Sequence, residues 1–367
     1  MNHYRRILIE REEASELILL SVISFAATVV LVRLFLELTG YPQVGNGTLH
    51  IAHLLWGGLA MFVGLIIILI WDNPGVRYTT AVLSGVGVGL FIDELGKFIT
   101  KSNDYFFPAA APIIYAVFLL TVIIFLLVRR RNRQDSRRAM VLSLEKLKDV
   151  LYGEIDELEG KRILANLTIA KKSDNPDIVE LADLLYDHLA AGRLTFADYH
   201  PGFFKRISNT LQRWGQKLGR KWHRRLIILA LAINGIASLG AILLFLILLL
   251  APDSFNAGQQ LVVTLVNAAR EADAGGVVGQ VLRSALNALI GLVAIAAIIL
   301  LWRKKERAGM NLGLIQVVLS LTILQMLTFY LTQFTAVIPT IFQFFMLGFI
   351  LTYQRWYLED DEEDESV

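Results

Sequence analysis

Eight apolar stretches, each long enough to cross the ~30 Å of hydrocarbon in a bilayer, alternate with shorter polar segments along the chain. In the first half they run from Leu17 to Leu38, Ile51 to Trp71, Tyr78 to Thr100 and Pro108 to Val128. In the second they run from Leu226 to Ala251, Gly276 to Trp302, Leu312 to Phe334 and Pro339 to Trp356. Turn-forming residues separate them: Gly45-Asn46-Gly47, Asp72-Asn73-Pro74-Gly75, and Pro252 after the fifth stretch. The pattern predicts an all-α polytopic membrane protein of about eight transmembrane helices in two sets of four. The units are 1–131, a helical insert over 132–225, 226–357, and an acidic disordered tail over 358–367.

Between the halves the period changes to that of amphipathic helices. Met140, Leu144, Leu147, Leu151, Ile155 and Leu158 recur at helical spacing. Asn175-Pro176-Asp177 reads as a helix start, with a capping side chain, a proline in the first turn and an early acid. Ile178, Leu181, Leu185 and Leu189 then line one face, and Gly192 marks the end. A last segment sets Phe204, Ile207, Leu211, Trp214, Leu218 and Trp222 on one face. Around them stand Lys205, Arg206, Arg213, Lys217 and Arg220. That mixture predicts a helix lying on anionic lipid headgroups, and its closeness to a span favours lipid over nucleic acid as the anion.

Composition agrees with burial in lipid. The 367 residues are 55% hydrophobic and 19% charged, with mean hydropathy +0.54 and net charge +2. Cysteine is absent, which excludes disulfides and thiolate metal sites. Charged residues run to Glu16 before the first apolar stretch, so the N-terminus reads as a spanning helix and not a cleavable signal. Arg5, Arg6, Arg11, Arg129, Arg130, Arg131, Arg133, Arg220, Lys221, Arg224, Arg225, Arg303, Lys304, Lys305 and Arg307 all fall on one side of an eight-span arrangement. The positive-inside rule makes that side cytoplasmic and predicts an inner cell membrane protein with both termini inside.

The halves also resemble each other. An offset of 231 places Trp71 on Trp302, Glu94 on Gln325, Phe98 on Phe329 and Pro108 on Pro339 without a gap. Four-helix units repeated in the same sense are a transporter device. On this reading the first half keeps ionisable residues, while the second offers neutral polar groups, among them Asn234, Asn287, Gln316, Gln325, Gln333 and Gln343.

Ionisable groups inside hydrocarbon are costly and are functional candidates by default. They converge on the outer ends of the first three spans: Arg33 and Glu37, then His50 and His53, then Asp93, Glu94 and Lys97, with Asp104 in the following loop. His50 and His53 are three apart, so their rings share a helix face and could bind one divalent metal together with Glu94. Gly85, Gly89, Asp93, Gly96 and Lys97 fall on one face of the third span, which predicts a close helix contact holding an Asp93–Lys97 pair. Glu94 lies about 100° away, directed toward His53 or Arg33.

These residues carry a resemblance. His50-Ile51-Ala52-His53, Phe91-Ile92-Asp93-Glu94 and Asn103-Asp104-Tyr105 together resemble a group of uncharacterised bacterial multi-pass proteins. That group is built on a His-x-His-His helix start, an Asp-Glu pair in the next span and an Asp-x-Tyr loop. The likeness covers about residues 49–105, and Ala52 stands where the group has a further histidine. It implies the position of a site, not its chemistry.

Other apparent motifs fail on spacing. Gly85-Val86-Gly87-Val88-Gly89 lies within a span and lacks the dinucleotide pattern, and Gly96-Lys97 has no Walker context. No His-Glu-x-x-His and no nucleophile elbow occurs. Three functions fit: transport of a small solute or ion, a scaffold or sensor, and a metal-dependent membrane-embedded hydrolase using His50, His53 and Asp93 or Glu94. The non-enzymatic pair is preferred, because two histidines fall short of a rigid three-ligand site.

Overall fold

A computed structural model describes residues 9–40, 42, 52–130, 135–151, 157–191, 219–239 and 276–358. Among them every regular element is helical. Seven helices among the described residues are long and apolar enough to cross a membrane, so the chain is an all-α, multi-pass integral membrane protein. The fifth expected span is helical where described, to residue 239, and its remainder lies outside the described residues. So do His50, Ile155, Gly192, Lys205, Arg206, Arg213 and Lys217, and with them most of the predicted headgroup-binding helix. The chain forms two compact units, residues 1–92 with 120–207 and residues 93–119 with 208–367.

In the first unit, α1 (Ala14–Thr39) ends on Gly40, whose positive φ of 73° lets its N–H bond back to the Leu36 carbonyl. The helices α2 (His53–Ile70) and α3 (Pro74–Asp93) follow. Glycines set their spacing. A Cβ on Gly85 would overlap the Ser21 carbonyl, and one on Gly89 would stand 2.8 Å from Thr28 Cβ, so α3 lies almost backbone to backbone on α1. On another face, a Cβ on Gly87 would stand 2.7 Å from the Gly57 carbonyl of α2. The predicted close contact is present for Gly85 and Gly89, whereas Gly96 serves a different purpose, described below.

The insert packs α6 (Ser136–Leu151), α7 (Glu157–Ala170) and α8 (Pro176–Ala190) around Met140, Ile163, Leu167, Ala182 and Leu189. The start of α8 is as expected: Asn175 Oδ1 accepts from the Asp177 N–H at 3.0 Å, with Pro176 opening the helix. Leu144 and Leu181, read as stripe residues, are exposed.

Ion pairs tie the insert to the starts of α1 and α3. Arg77, only 8% exposed, lies 3.0 Å from Glu145 and 3.5 Å from Glu13. Lys146 reaches Glu13 at 2.9 Å, and Lys148 reaches Asp72 at 2.8 Å. Burial pushes Glu13 up, but the hydrogen bond and charge of Lys146, with Arg77, hold it below the usual carboxylate value. The same contacts raise Lys146 against the opposing effect of its burial.

The second unit contains α4 (Leu95–Ile99) and the first turns of α5 (Ala110–Arg130), which is divided between the units at Leu120. It continues with α9 over residues 219–239, α10 (Gly276–Trp302) and α11 (Glu306–Leu319). A π-helical turn (Ser320–Leu324), α12 (Gln325–Thr332), a 3₁₀ turn (Gln333–Ala336) and α13 (Val337–Tyr357) complete it. Leu231, Ala294, Met310, Val317, Ile350 and Tyr353 form the core. At the start of α11, Glu306 accepts from Tyr353 Oη at 2.8 Å and Arg220 Nη2 at 3.0 Å, and also pairs with Arg224. Arg220, read as a headgroup contact, is therefore engaged by a carboxylate.

Candidate functional site

The carboxylates at the end of α3 are the most deeply buried ionisable groups of the predicted cluster, Asp93 at 0% and Glu94 at 1% exposure. The helix does not run through them. α3 stops at Asp93, Glu94 takes φ −88° and ψ 8°, and α4 restarts at Leu95. The break invalidates a face drawn on a continuous helix. Lys97 Nζ lies 3.2 Å from Glu94 Oε1, so Glu94 shares the lysine contact instead of turning away from it. Asp93 Oδ2 accepts a 2.7 Å hydrogen bond from Tyr105 Oη, and Lys97 stands 5.2 Å above the Tyr105 ring.

The loop that delivers Tyr105 is wound tightly onto α4. Thr100 Oγ1 donates to the Gly96 carbonyl at 2.8 Å and accepts from the Asp104 N–H at 2.8 Å. Asp104 Oδ1 accepts from the Phe106 N–H at 2.9 Å, a local turn bond that gives this predicted site residue a structural task. Asn103 adopts a positive φ of 53°, which asparagine tolerates better than most residues. A Cβ on Gly96 would stand 2.6 Å from the Asp104 carbonyl, so this glycine admits its own loop and not a neighbouring helix.

Elsewhere in the predicted cluster, Arg33 is buried, Glu37 is exposed, and His53 opens α2 half-buried. No group of three or more His, Asp or Glu side chains able to hold a metal occurs among the described residues.

A different site lies in the second unit. α9, α10, the π turn, α12 and α13 line a half-open cavity of about 300 Å³. It lies in the half of the bundle remote from the basic loop 303–307, since its α10 residues fall near that helix's start and its α13 residue Gln343 near the other start. The wall is polar. Asn234 and Ser238 face Ser284 and Asn287, and Ser238 Oγ donates to Asn287 Oδ1 at 2.9 Å. Ser320, Gln325 and Gln343 close the opposite side, each no more than 5% exposed. Asn234 Nδ2, Ser320 Oγ, Gln325 Oε1 and Gln343 Oε1 are buried without a hydrogen-bond partner among the described residues. Buried polar atoms left this way are costly, which makes the cavity a candidate place for water or a ligand.

The backbone is irregular at the same place. π turns inside α-helices recur at functional sites, and this one supplies Ser320 and Leu324 to the wall. Tyr115 Oη donates to the Leu321 carbonyl at 2.7 Å, satisfying an acceptor in the distorted turn. The second half is not neutral throughout, because Arg283, within the third turn of α10, also lines the cavity. Its signal in the sequence is a lone charge inside a 27-residue apolar helix.

The offset of 231 now acquires structural content. It carries α3 onto α11 and the π turn, α4 onto α12, and α5 onto α13, within four residues at each start, and carries α2 into α10 from its third turn onward. It carries the break at Glu94 onto Gln325, the residue that follows the π turn. His53, Glu94, Lys97 and Pro108 map onto Ser284, Gln325, Thr328 and Pro339, all of which line the cavity. Four of the eight positions singled out in the first half, His53, Asp93, Glu94 and Lys97, therefore fall under this offset on residues that line the cavity. No protein-family model, no curated protein and no solved structure matches this chain.

Proposed function

We propose that the chain moves a small polar solute across the membrane, and that the cavity beside the π turn is where the solute binds. The observation that carries this reading is the set of buried, unpartnered oxygen and nitrogen atoms on Asn234, Ser320, Gln325 and Gln343 around about 300 Å³. A polar hole at a helix discontinuity inside a membrane bundle is the form transport sites take. The correspondence of elements between the halves supports a duplicated four-helix unit, in which the Asp93–Glu94 segment is the charged counterpart of the cavity wall. The same reading assigns the chain to the inner cell membrane with both termini cytoplasmic. It sets Lys205, Arg206, Arg213 and Lys217 on anionic headgroups.

The full chain reconstituted in proteoliposomes tests the proposal by stopped-flow light scattering, with urea, glycerol, sodium lactate and sodium chloride as probes. At least one probe is expected to equilibrate faster than in protein-free vesicles, and Gln325→Leu is expected to return it to the background rate. Background rates for all four probes with folded protein would overturn the reading.

A further inference from the structure

We infer that the cavity of the second unit accepts a small organic carboxylate bearing a hydroxyl or amino group, with the carboxylate anchored on Arg283. The inference rests on the reading of the cavity as a solute site.

Charge decides the sign of the ligand. Arg283 is the charged side chain among the residues lining the cavity, and no Asp or Glu joins it. A cation entering there would meet a fixed positive charge in a low-dielectric wall with no carboxylate to offset it. A carboxylate meets the opposite: a planar guanidinium whose paired N–H groups match its two oxygens.

Hydrogen bonding decides what else the ligand carries. Gln325 Oε1 and Gln343 Oε1 are acceptors buried without a partner among the described residues. A halide or nitrate has no hydrogen to give them. A ligand with O–H or N–H groups satisfies them, and Asn234 Nδ2, also unpartnered, offers a donor in return. The wall is therefore matched to a molecule with one anionic end and one hydrogen-donating end.

Size separates this ligand from a bare ion. A cavity of about 300 Å³ is many times the ~10–15 Å³ that one water needs by the same measure. It exceeds what a monatomic ion fills and falls at the small end of organic-ligand pockets.

Detergent-purified full-length protein tests the assignment by thermal shift and calorimetric titration. The probes are sodium lactate, alanine, glycerol and sodium chloride at equal concentration. Lactate or alanine is expected to bind saturably and raise the melting temperature, while glycerol and chloride do not. Arg283→Gln is expected to weaken that binding at least ten-fold, and Arg283→Lys less. The ligand-free melting curves establish that both variants are folded. Saturable glycerol binding untouched by Arg283→Gln would overturn the carboxylate while leaving the solute reading intact. Chloride binding equal to lactate would overturn the need for a hydrogen donor. If no probe binds and none crosses proteoliposomes, the cavity holds water only, and both readings fall together.

Discussion

Tyr105 donates a 2.7 Å hydrogen bond to Asp93, twelve residues back along the chain, while the adjacent Glu94 is approached by Lys97 at 3.2 Å. Asp93 thus accepts from a hydroxyl, and Glu94 meets a cation. Removing the hydroxyl withdraws a donor from a fully buried acceptor, which costs on the order of 1–3 kcal/mol. Tyr105→Phe is therefore expected to lower the detergent melting temperature clearly, and Asp93→Asn, which keeps an acceptor oxygen, to lower it less. A Tyr105→Phe variant that melts with the wild type would show that this bond does not hold the loop on α4.

Glycines of α2 and α4 furnish a matched comparison. A Cβ on Gly96 would meet the Asp104 carbonyl at 2.6 Å, and backbone cannot move aside as a flexible side chain does. A Cβ on Gly58 would meet nothing within 4 Å. Gly96→Ala is expected to destabilise the protein strongly. Gly58→Ala should be neutral or slightly stabilising, because alanine is the better helix former by ~1 kcal/mol. Parallel melting curves check both, and equal behaviour of the two would contradict the loop packing described.

Apolar run length and basic flanks made the spans legible, and the capping side chain of Asn175 was legible from three residues. The breaks were not. Apolar residues continue on both sides of Glu94 and through Ser320–Leu324, and periodicity carries no mark of a π turn or a restarted helix. A face drawn on a continuous helix therefore turns Glu94 away from Lys97, whereas the two lie 3.2 Å apart. The cavity escaped for a different reason. Its wall is assembled from single residues on separate helices, each an ordinary neutral group in its own span, and only the fold brings them together. Arg283 was the one local clue, and it is diluted by the apolar residues around it.

The ion-pair network at the starts of α1 and α3 sets a pH window. Glu13 and Asp72 are held below their ordinary values of 4.5 and 3.8, Asp72 chiefly by its hydrogen bond to Lys148. Groups lowered in the folded state add stability above those values and lose it as pH falls through the lowered ones. Lys146 is raised above 10.5, so its contribution is full below that pH and is lost only as pH rises through the raised value. The network should therefore be intact between the ordinary carboxylate and lysine values, 4.5 and 10.5, and be lost on the acid side as pH falls through the lowered carboxylate values. Glu13→Gln is expected to lower melting at neutral pH and to flatten the acid limb of a melting-against-pH curve. An unchanged acid limb would assign acid sensitivity to other groups.

The proposed orientation is checked in intact cells. Cysteine introduced at Asn46 is expected to react with an impermeant thiol reagent. One introduced at Asp174, an exposed residue just before α8, should not. The native chain has no cysteine to confuse the result. Reversed labelling would invert the protein and move the cavity to the opposite leaflet.

Gln316 and Gln325 separate stability from function. Gln316 is fully buried in α11, and neither its Oε1 nor its Nε2 has a hydrogen-bond partner among the described residues. It does not line the cavity, whereas Gln325, with an unpartnered Oε1, does. An unsatisfied buried amide costs ~1–3 kcal/mol, and methionine fills nearly the same volume without polar atoms. Gln316→Met is expected to raise the melting temperature and leave solute movement unchanged. Gln325→Leu should also hold or raise stability, because it removes the same kind of penalty, yet it takes a ligand-facing acceptor from the wall and should abolish solute movement. Natural sites retain such destabilising groups where function needs them. If both substitutions stabilise the protein and both leave flux intact, the unpartnered amides are packing defects and the cavity does not bind the solute.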